Sequence, residues 1–121
     1  VTEFATSLKQ GEAGEFQAYL LAWSGRTDPD GNVFIFHRTK APQNNPGYSN
    51  PEVDKLLADA RIPSDMAQRK AIYEKLTKII LEDAPKLYLY HRRVLIAHTA
   101  RLDGYRQMPD GLVRVIGLRL K

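Results

Sequence analysis

The chain contains 121 residues, of which 43% are hydrophobic and 26% are charged, proportions typical of a single globular domain with a modest core. It has no cysteine, which excludes disulfides, thiolate metal sites and cysteine nucleophiles. The longest apolar runs are too short to span a bilayer, and the first residues show neither the basic nor the apolar region of a signal peptide.

The net charge of +4 is unevenly distributed. Residues 86–121 carry eight Lys or Arg against two Asp, a net charge of +6, whereas residues 1–85 carry −2. A basic C-terminal third is compatible with nucleic-acid binding. These basic residues are spread among apolar ones and form no run, which favours a solvated or partner-facing surface.

Short apolar segments separated by turn formers make up the first 50 residues. The spacing of Phe4 and Leu8 predicts a short helix over residues 2–10, followed by a turn at 11–14. Residues 16–23 (FQAYLLAW) have the composition of a buried strand. A loop is predicted over 24–31, 33–37 (VFIFH) are β-prone without fixing a strand, and 41–50 are irregular.

Two adjacent helices are the clearest prediction. Asn50 is suited to cap a helix that begins at Pro51, and Val53 with Leu56 starts an apolar face that runs to about residue 61. Ile62-Pro63 breaks this helix. A second helix is predicted over about 65–83, capped by Ser64 or Asp65 and ending before Pro85.

Strands are predicted after Pro85. Residues 87–90 (LYLY) and 94–97 (VLIA) have strand composition and flank Arg92-Arg93. Residues 102–111 are rich in turn formers, and the alternation over 112–120 predicts a final strand with a break at Gly117. The chain is therefore predicted to be mixed α and β, with two adjacent helices and several short strands.

The sequence contains no recognisable catalytic or metal-binding constellation. His37, His91 and His98 are widely separated and lack metal-ligand spacing, so each is expected at a strand end or on the surface, and no cofactor is predicted. Asp28 and Asp30 resemble paired carboxylates, but their spacing around Pro29 favours an Asx-type turn. No nucleophile, base and orienting group assemble.

A candidate binding site lies where the predicted strand 16–23 ends. Trp23 would supply an aromatic platform, Ser24 and Gly25 adaptable backbone donors, and Arg26 a two-pronged donor suited to a carboxylate. In the alternative interpretation Trp23 is a core residue, and Arg26 pairs with Asp28 or Asp30 on the surface. The residues alone leave both interpretations open.

Six short motifs follow one another over nearly the whole chain. They are 23–30 (WSGRTDPD), 45–57 (NPGYSNPEVDKLL), 65–73 (DMAQRKAIY), 82–85 (EDAP), 103–105 (DGY) and 109–111 (PDG). This ordered series resembles the family 5 extracytoplasmic solute-binding proteins, which serve peptide and nickel ABC importers. The resemblance is fairly specific in GYSNPEVD and EDAP, and it corresponds to about the last quarter of such a protein.

The resemblance implies part of a two-lobed, hinged α/β architecture of the periplasmic-binding-protein type II kind, outside the cytoplasm, with a membrane permease as partner. Residues 1–98 would belong to the second lobe, and 99–121 would return to the first lobe. An unpaired final strand in the isolated chain invites pairing with another copy, so we expect self-association.

The resemblance also suggests which ligand groups the site accepts. In peptide-binding members, an acidic residue shortly after this Trp receives the ligand's amino terminus. Here Arg26 stands at the third position after Trp23 and would repel an ammonium group. A ligand that presents a carboxylate is therefore expected, unless Asp28 takes the acidic role, and the site is predicted to comprise Trp23, Ser24, Gly25, Arg26 and Asp28.

The sequence is compatible with three functions. The first is a substrate-binding component of an ABC importer that captures a small solute or short peptide, with no enzymatic activity and no nucleic-acid partner. The alternative is a basic nucleic-acid-binding domain that uses Tyr88, Tyr90 and Tyr105 for stacking. A small enzyme acting through Asp28 and Asp30 is the weakest, because it lacks a partner base or a metal.

Overall fold

The computed structural model describes residues 2–90 and 93–121. The predictions for His91 and Arg92 lie outside the described residues. Four helices and one two-stranded antiparallel sheet occur in these ranges, in the chain order α1 Phe4–Ala13, α2 Pro29–His37, α3 Pro51–Asp59, α4 Met66–Asp83, β1 Leu102–Asp103 and β2 Arg119–Leu120. In the sheet, Leu102 lies opposite Leu120 and Asp103 opposite Arg119.

The two strongest helix predictions are confirmed, together with their caps. The Asn50 side-chain oxygen accepts the backbone N–H groups of Glu52 and Val53 at the start of α3. Asp65 accepts the N–H of Gln68 at the start of α4. Both caps satisfy donors that have no partner within the helix. α4 ends at Asp83, two residues before Pro85, as predicted.

The core lies between α3 and α4, with α2 packed beside α3. Its fully enclosed side chains are the α3 residues Val53 and Leu57 and the α4 residue Leu76. Partly buried residues of α2 and the loop before α3 complete it, including Val33, Phe34 and Tyr48. The described helices are all too short or too polar to cross a membrane.

The β-prone segment 33–37, for which the sequence fixes no strand, forms the second half of α2. α2 begins with the same signals as α3. Asp28 caps it, Pro29 occupies its first position, and Asp30 lies in its positively polarised first turn. Those signals outweigh the strand preference of the aromatic and β-branched residues 33–36.

The first helix is longer than predicted. α1 continues through Gly11 to Ala13 and ends at Gly14, whose φ of 74° is the left-handed conformation that favours glycine. Gly11 lies beneath the Tyr19 ring, and a Cβ at this position would come within 2.6 Å of Tyr19 Cε1. The predicted turn over 11–14 is therefore confined to its last residue.

Most predicted strands are absent from the described residues. Residues 16–23, 87–90 and 94–97 lie outside any ladder, and of the final strand predicted over 112–120 only Arg119–Leu120 pairs. A strand requires a hydrogen-bonded neighbour, and the described part of the chain provides none for these segments. The fold is therefore a mixed α and β arrangement in which the helices supply the core.

The core predicts a clear contrast between two leucines. Leu57→Ala removes a side chain with 0% exposure and should lower the free energy of unfolding by about 2–5 kcal/mol. Leu20→Ala, at 76% exposure, should change it by less than about 0.5 kcal/mol. Urea denaturation of both variants measures the difference, and equal losses would contradict this core.

Candidate functional site

The N-terminus of α2 is fixed to the start of α4 by Asp28. Its carboxylate accepts two hydrogen bonds from the Arg69 guanidinium, at 2.9 and 2.7 Å, and also accepts the Asp30 N–H at 2.8 Å. Arg69 Nε donates to the Ala60 carbonyl oxygen at 3.2 Å. Asp28 therefore joins α2 to the α3–α4 connection, and its carboxylate accepts three hydrogen bonds from within the fold.

A second pair of the same kind lies two residues further along the chain. The Asp30 carboxylate accepts two 2.7 Å hydrogen bonds from Arg61, which follows α3. The Arg61 guanidinium carbon lies 3.2 Å from the centroid of the Phe34 ring, a stacked cation–π arrangement. We call the Asp28–Arg69 and Asp30–Arg61 pairs together the double clasp.

The double clasp shifts the ionisation of its members. Hydrogen bonds from Arg69 and from the Asp30 N–H lower the pKa of Asp28 to about 2. The hydrogen bond to Asp28 raises the pKa of Arg69, and the bond to Asp30 raises that of Arg61. Asp28, Arg61 and Arg69 are therefore charged at neutral pH, and each arginine faces a carboxylate.

Arg26 has a different environment. One guanidinium N–H donates to the Ser24 carbonyl oxygen at 3.2 Å. No ion pair between Arg26 and a carboxylate occurs in residues 2–90 and 93–121. The predicted alternative, in which Arg26 pairs with Asp28 or Asp30, is therefore wrong, because Arg69 and Arg61 occupy those carboxylates.

Trp23 is half exposed, at 50%, and is not a core residue. Its ring lies 5.8 Å from that of Phe36, centroid to centroid, in a tilted arrangement. Lys86 Nζ lies 4.9 Å from the centroid of the Phe36 ring and donates to the Phe36 carbonyl oxygen at 3.0 Å. Burial lowers the pKa of Lys86 to about 8. Trp23 thus rests on α2 with one side available to a ligand.

His37 connects α2 to the segment after α4. One ring nitrogen lies 3.0 Å from the Val33 carbonyl oxygen and the other 3.1 Å from the Tyr88 hydroxyl. Since a carbonyl can only accept, Nδ1 carries the proton and Nε2 accepts from Tyr88. Burial, with a smaller effect of the nearby Lys86 charge, lowers the pKa of His37. This histidine is a buried helix residue, which contradicts the expectation of a strand-end or surface position, whereas His98 is exposed as expected.

The predicted site residues thus separate into two groups. Trp23, Ser24, Gly25 and Arg26 lie together in the exposed loop that runs back along α2. Asp28 points to Arg69 and belongs to the scaffold. The Asx-type turn predicted for Asp28 is confirmed by its bond to the Asp30 N–H.

Sequence reasoning missed several residues that shape this region, namely Gly31, Asn32, Phe36, Arg61, Arg69 and Lys86. For the two arginines a signal existed. Asp28-Pro29 is a capping residue followed by proline, as Asn50-Pro51 is, and it predicts a helix whose N-terminal carboxylates need cations. Arg61 and Arg69 lie on either side of the start of α4. Asn32 and Phe36 carry no local signal, because their roles depend on how loop 24–27 lies against α2.

Motif residues elsewhere also contact one another. The Tyr48 hydroxyl and the Asn50 amide both donate to Asp83 Oδ2, and these bonds lower the pKa of Asp83. Burial, followed by the Asp83 contact, raises the pKa of Tyr48 to about 12. No group of three or more metal-ligating side chains is found in the described ranges.

Sequence comparison finds relatives that match most of this chain. The chain is 36% identical over 97 residues to the oligopeptide-binding protein AppA of Bacillus subtilis, a match that covers 78% of the chain. It is 30% identical over 115 residues, or 92% of the chain, to the probable di/tripeptide-binding protein 5 of Pseudomonas aeruginosa. The chain belongs to the family 5 solute-binding proteins of ABC importers.

Other family 5 relatives have different stated ligands. The glutathione-binding protein GsiB of Pectobacterium atrosepticum is 38% identical over 65 residues, which cover 54% of the chain. The chain spans 18% of the AppA relative, 22% of the Pseudomonas protein and 13% of GsiB. No family model matches it. All three relatives are binding proteins and not enzymes, in agreement with the predicted binding module.

The double clasp makes a prediction for the ionisation of Asp28. Arg69→Met removes its main charged partner, so the pKa of Asp28 should rise from about 2 towards its ordinary value of 3.8. NMR titration of the carboxyl carbon measures it. Arg61→Met, which removes only the partner of Asp30, should leave the pKa of Asp28 unchanged.

The sign of the pH dependence follows from that pKa. A pKa lowered by folding means that the ionised Asp28 stabilises the fold above pH 3.8, and that this contribution is lost as the pH falls towards about 2. The loss should be smaller in Arg69→Met. An equal acid sensitivity of the wild type and Arg69→Met would show that the pair contributes nothing to stability.

Proposed function

We propose that this chain is part of a substrate-binding component of an ABC importer, and that it captures a small peptide-like or carboxylate-bearing solute outside the cytoplasm for delivery to a membrane permease. The importer role is supported by relatives named for binding oligopeptides, di- or tripeptides and glutathione. None of these relatives is named as a nucleic-acid-binding protein, and we do not retain that alternative.

The chemical class of the solute rests on one observation. Arg26 is a cation without a carboxylate partner in the described residues, whereas Asp28 and Asp30 are both neutralised by arginines. The loop therefore offers a ligand a positive charge and no available negative one. A guanidinium pairs most strongly with a carboxylate, and Trp23 beside it offers an apolar face for the rest of the ligand.

We further propose the lobe assignment that the family resemblance implies. Residues 1–98 would lie in the second lobe, and residues 99–121 would return to the first. In support, residues 87–90 and 112–116 carry large apolar side chains with little cover in the described chain, among them Leu87 at 85% and Ile116 at 93% exposure. Such segments are suited to pair with further strands.

The ligand proposal predicts a charge-specific loss of binding. In the full-length protein that contains this chain, Arg26→Ala should weaken binding of dialanine or trialanine about tenfold or more relative to their C-terminal amides. Isothermal titration calorimetry measures both members of each pair. Arg38→Ala removes the same charge from the opposite end of α2 and should leave the preference for the acid unchanged.

Two outcomes would overturn the ligand proposal. One is a preference for the acid that survives Arg26→Ala, because another group would then recognise the carboxylate. The other is the absence of measurable wild-type binding to all four compounds, which would remove the peptide-like class. Asp28→Ala is unsuitable as a control, since it also leaves Arg69 without its partner.

The exposed apolar segments predict self-association of the isolated 121-residue chain. Light scattering should show a mass that increases with concentration, because burying these side chains against a second copy removes apolar surface from water. Ile116→Lys should reduce the association, whereas Lys9→Ala on α1 should not. A strict monomer at high concentration would contradict this proposal.

A further inference from the structure

One side chain of α2, that of Asn32, forms hydrogen bonds with both the backbone N–H and the backbone carbonyl oxygen of Arg26. Asn32 Oδ1 accepts the Arg26 N–H at 2.7 Å, and Asn32 Nδ2 donates to the Arg26 carbonyl oxygen at 2.7 Å. The same Nδ2 donates to the Asp28 carbonyl oxygen at 3.1 Å. The Asn32 amide thus satisfies both backbone polar groups of Arg26, as a neighbouring strand would in a sheet.

The side chain of Arg26 is placed by a second feature, the absence of a side chain at position 31. The aliphatic part of Arg26 lies directly over Gly31, so a Cβ at this position would come within 2.9 Å of Arg26 Cγ and 3.0 Å of its Cβ. Glycine at this position provides space and not an unusual φ, because Gly31 lies inside α2 with no positive φ. Both the backbone and the stem of Arg26 are therefore held by α2.

These contacts leave the guanidinium group at the end of a restrained arm. It makes a 3.2 Å bond to the Ser24 carbonyl oxygen, which uses one of its five N–H donors. An arginine that is already ordered loses less conformational entropy when it binds an anion. A free loop arginine would lose its rotamer freedom at the moment of binding and would bind less tightly.

We propose that Asn32 and Gly31 are positioning residues that set the carboxylate selectivity of this loop by fixing Arg26 against α2. This inference rests on the proposed function of Arg26 as the group that receives the ligand carboxylate. Neither residue touches the ligand. Each acts through Arg26. Changes at either position should therefore reduce selectivity for the C-terminal acid over the C-terminal amide, and should leave binding of the amide nearly unchanged.

The binding test uses the full-length protein with dialanine and trialanine, each compared with its C-terminal amide by calorimetry. Asn32→Ala should reduce the acid-over-amide preference about threefold to tenfold. It should not melt α2, because alanine is a better helix former than asparagine. Gly31→Ala should reduce the same preference by displacing the arginine stem. Asn45→Ala, which removes an amide from the loop before α3, is the matched control and should change nothing.

A double-mutant comparison separates positioning from a general structural role. In an Arg26→Ala background, Asn32→Ala should have no further effect on the preference, because the group that it positions is gone. If the two substitutions are additive, or if Asn32→Ala weakens the acid and the amide equally, Asn32 is only a structural residue and the inference is wrong. If Arg26→Ala itself has no effect, the proposed function fails instead.

A ligand-independent measurement tests the same device. The Arg26 N–H is bonded to the Asn32 side chain, so its hydrogen exchange in the full-length protein should be slow and should accelerate about tenfold or more in Asn32→Ala. The Arg38 N–H, which donates to the Phe34 carbonyl oxygen at 3.0 Å, should keep its rate and shows whether α2 remains intact. Unchanged exchange at Arg26 would overturn the positioning role.

Discussion

The double clasp at the start of α2 is the constraint on which the candidate site depends. Two adjacent carboxylates, Asp28 and Asp30, each meet an arginine in bidentate geometry, and those arginines lie at the two ends of the α3–α4 connection. This arrangement fixes α2 against the helical core. Loop 24–27 then lies along α2, and it brings Trp23 to Phe36 and Arg26 to Gly31. The ion pairs thus set where α2 lies on the core, and the contacts of Asn32 and Gly31 set where Arg26 lies on α2.

The motifs that identify the family are largely scaffold. Asp28 of the WSGRTDPD segment meets Arg69 of the DMAQRKAIY segment, and Asp83 of EDAP receives bonds from Tyr48 and Asn50 of the GYSNPEVD segment. Four of the six motif segments therefore have a partner in another motif. This mutual contact accounts for why the ordered series is a better sign of the family than any single piece. It also means that family membership alone does not identify the ligand, because the ligand depends on the site and not on the fold.

The sequence was most informative where structure is decided locally. The caps at Asn50 and Asp65 and the apolar faces of α3 and α4 are encoded within a few residues, and they were predicted correctly. α2 was missed although Asp28-Pro29 has the same cap-and-proline form as Asn50-Pro51 of α3, because the aromatic and β-branched residues 33–36 made the segment β-prone. The strands failed for another reason. A strand's stability depends on hydrogen-bonded neighbours that are distant along the chain, and composition does not identify those neighbours. Within the site, the loop residues were identifiable from Trp23 and Arg26, whereas Asn32 could be recognised only once the loop was seen against the helix.

The internal neutralisation of Asp28 and Asp30 has an evolutionary consequence. Because both carboxylates have their own arginines, the side chain at position 26 forms no ion pair with either of them. A lineage could reverse the sign of that charge by point substitution without disturbing how the helices pack. Paralogues with nearly identical frameworks could then import solutes of opposite charge, and diversification of nutrient uptake would require no new architecture.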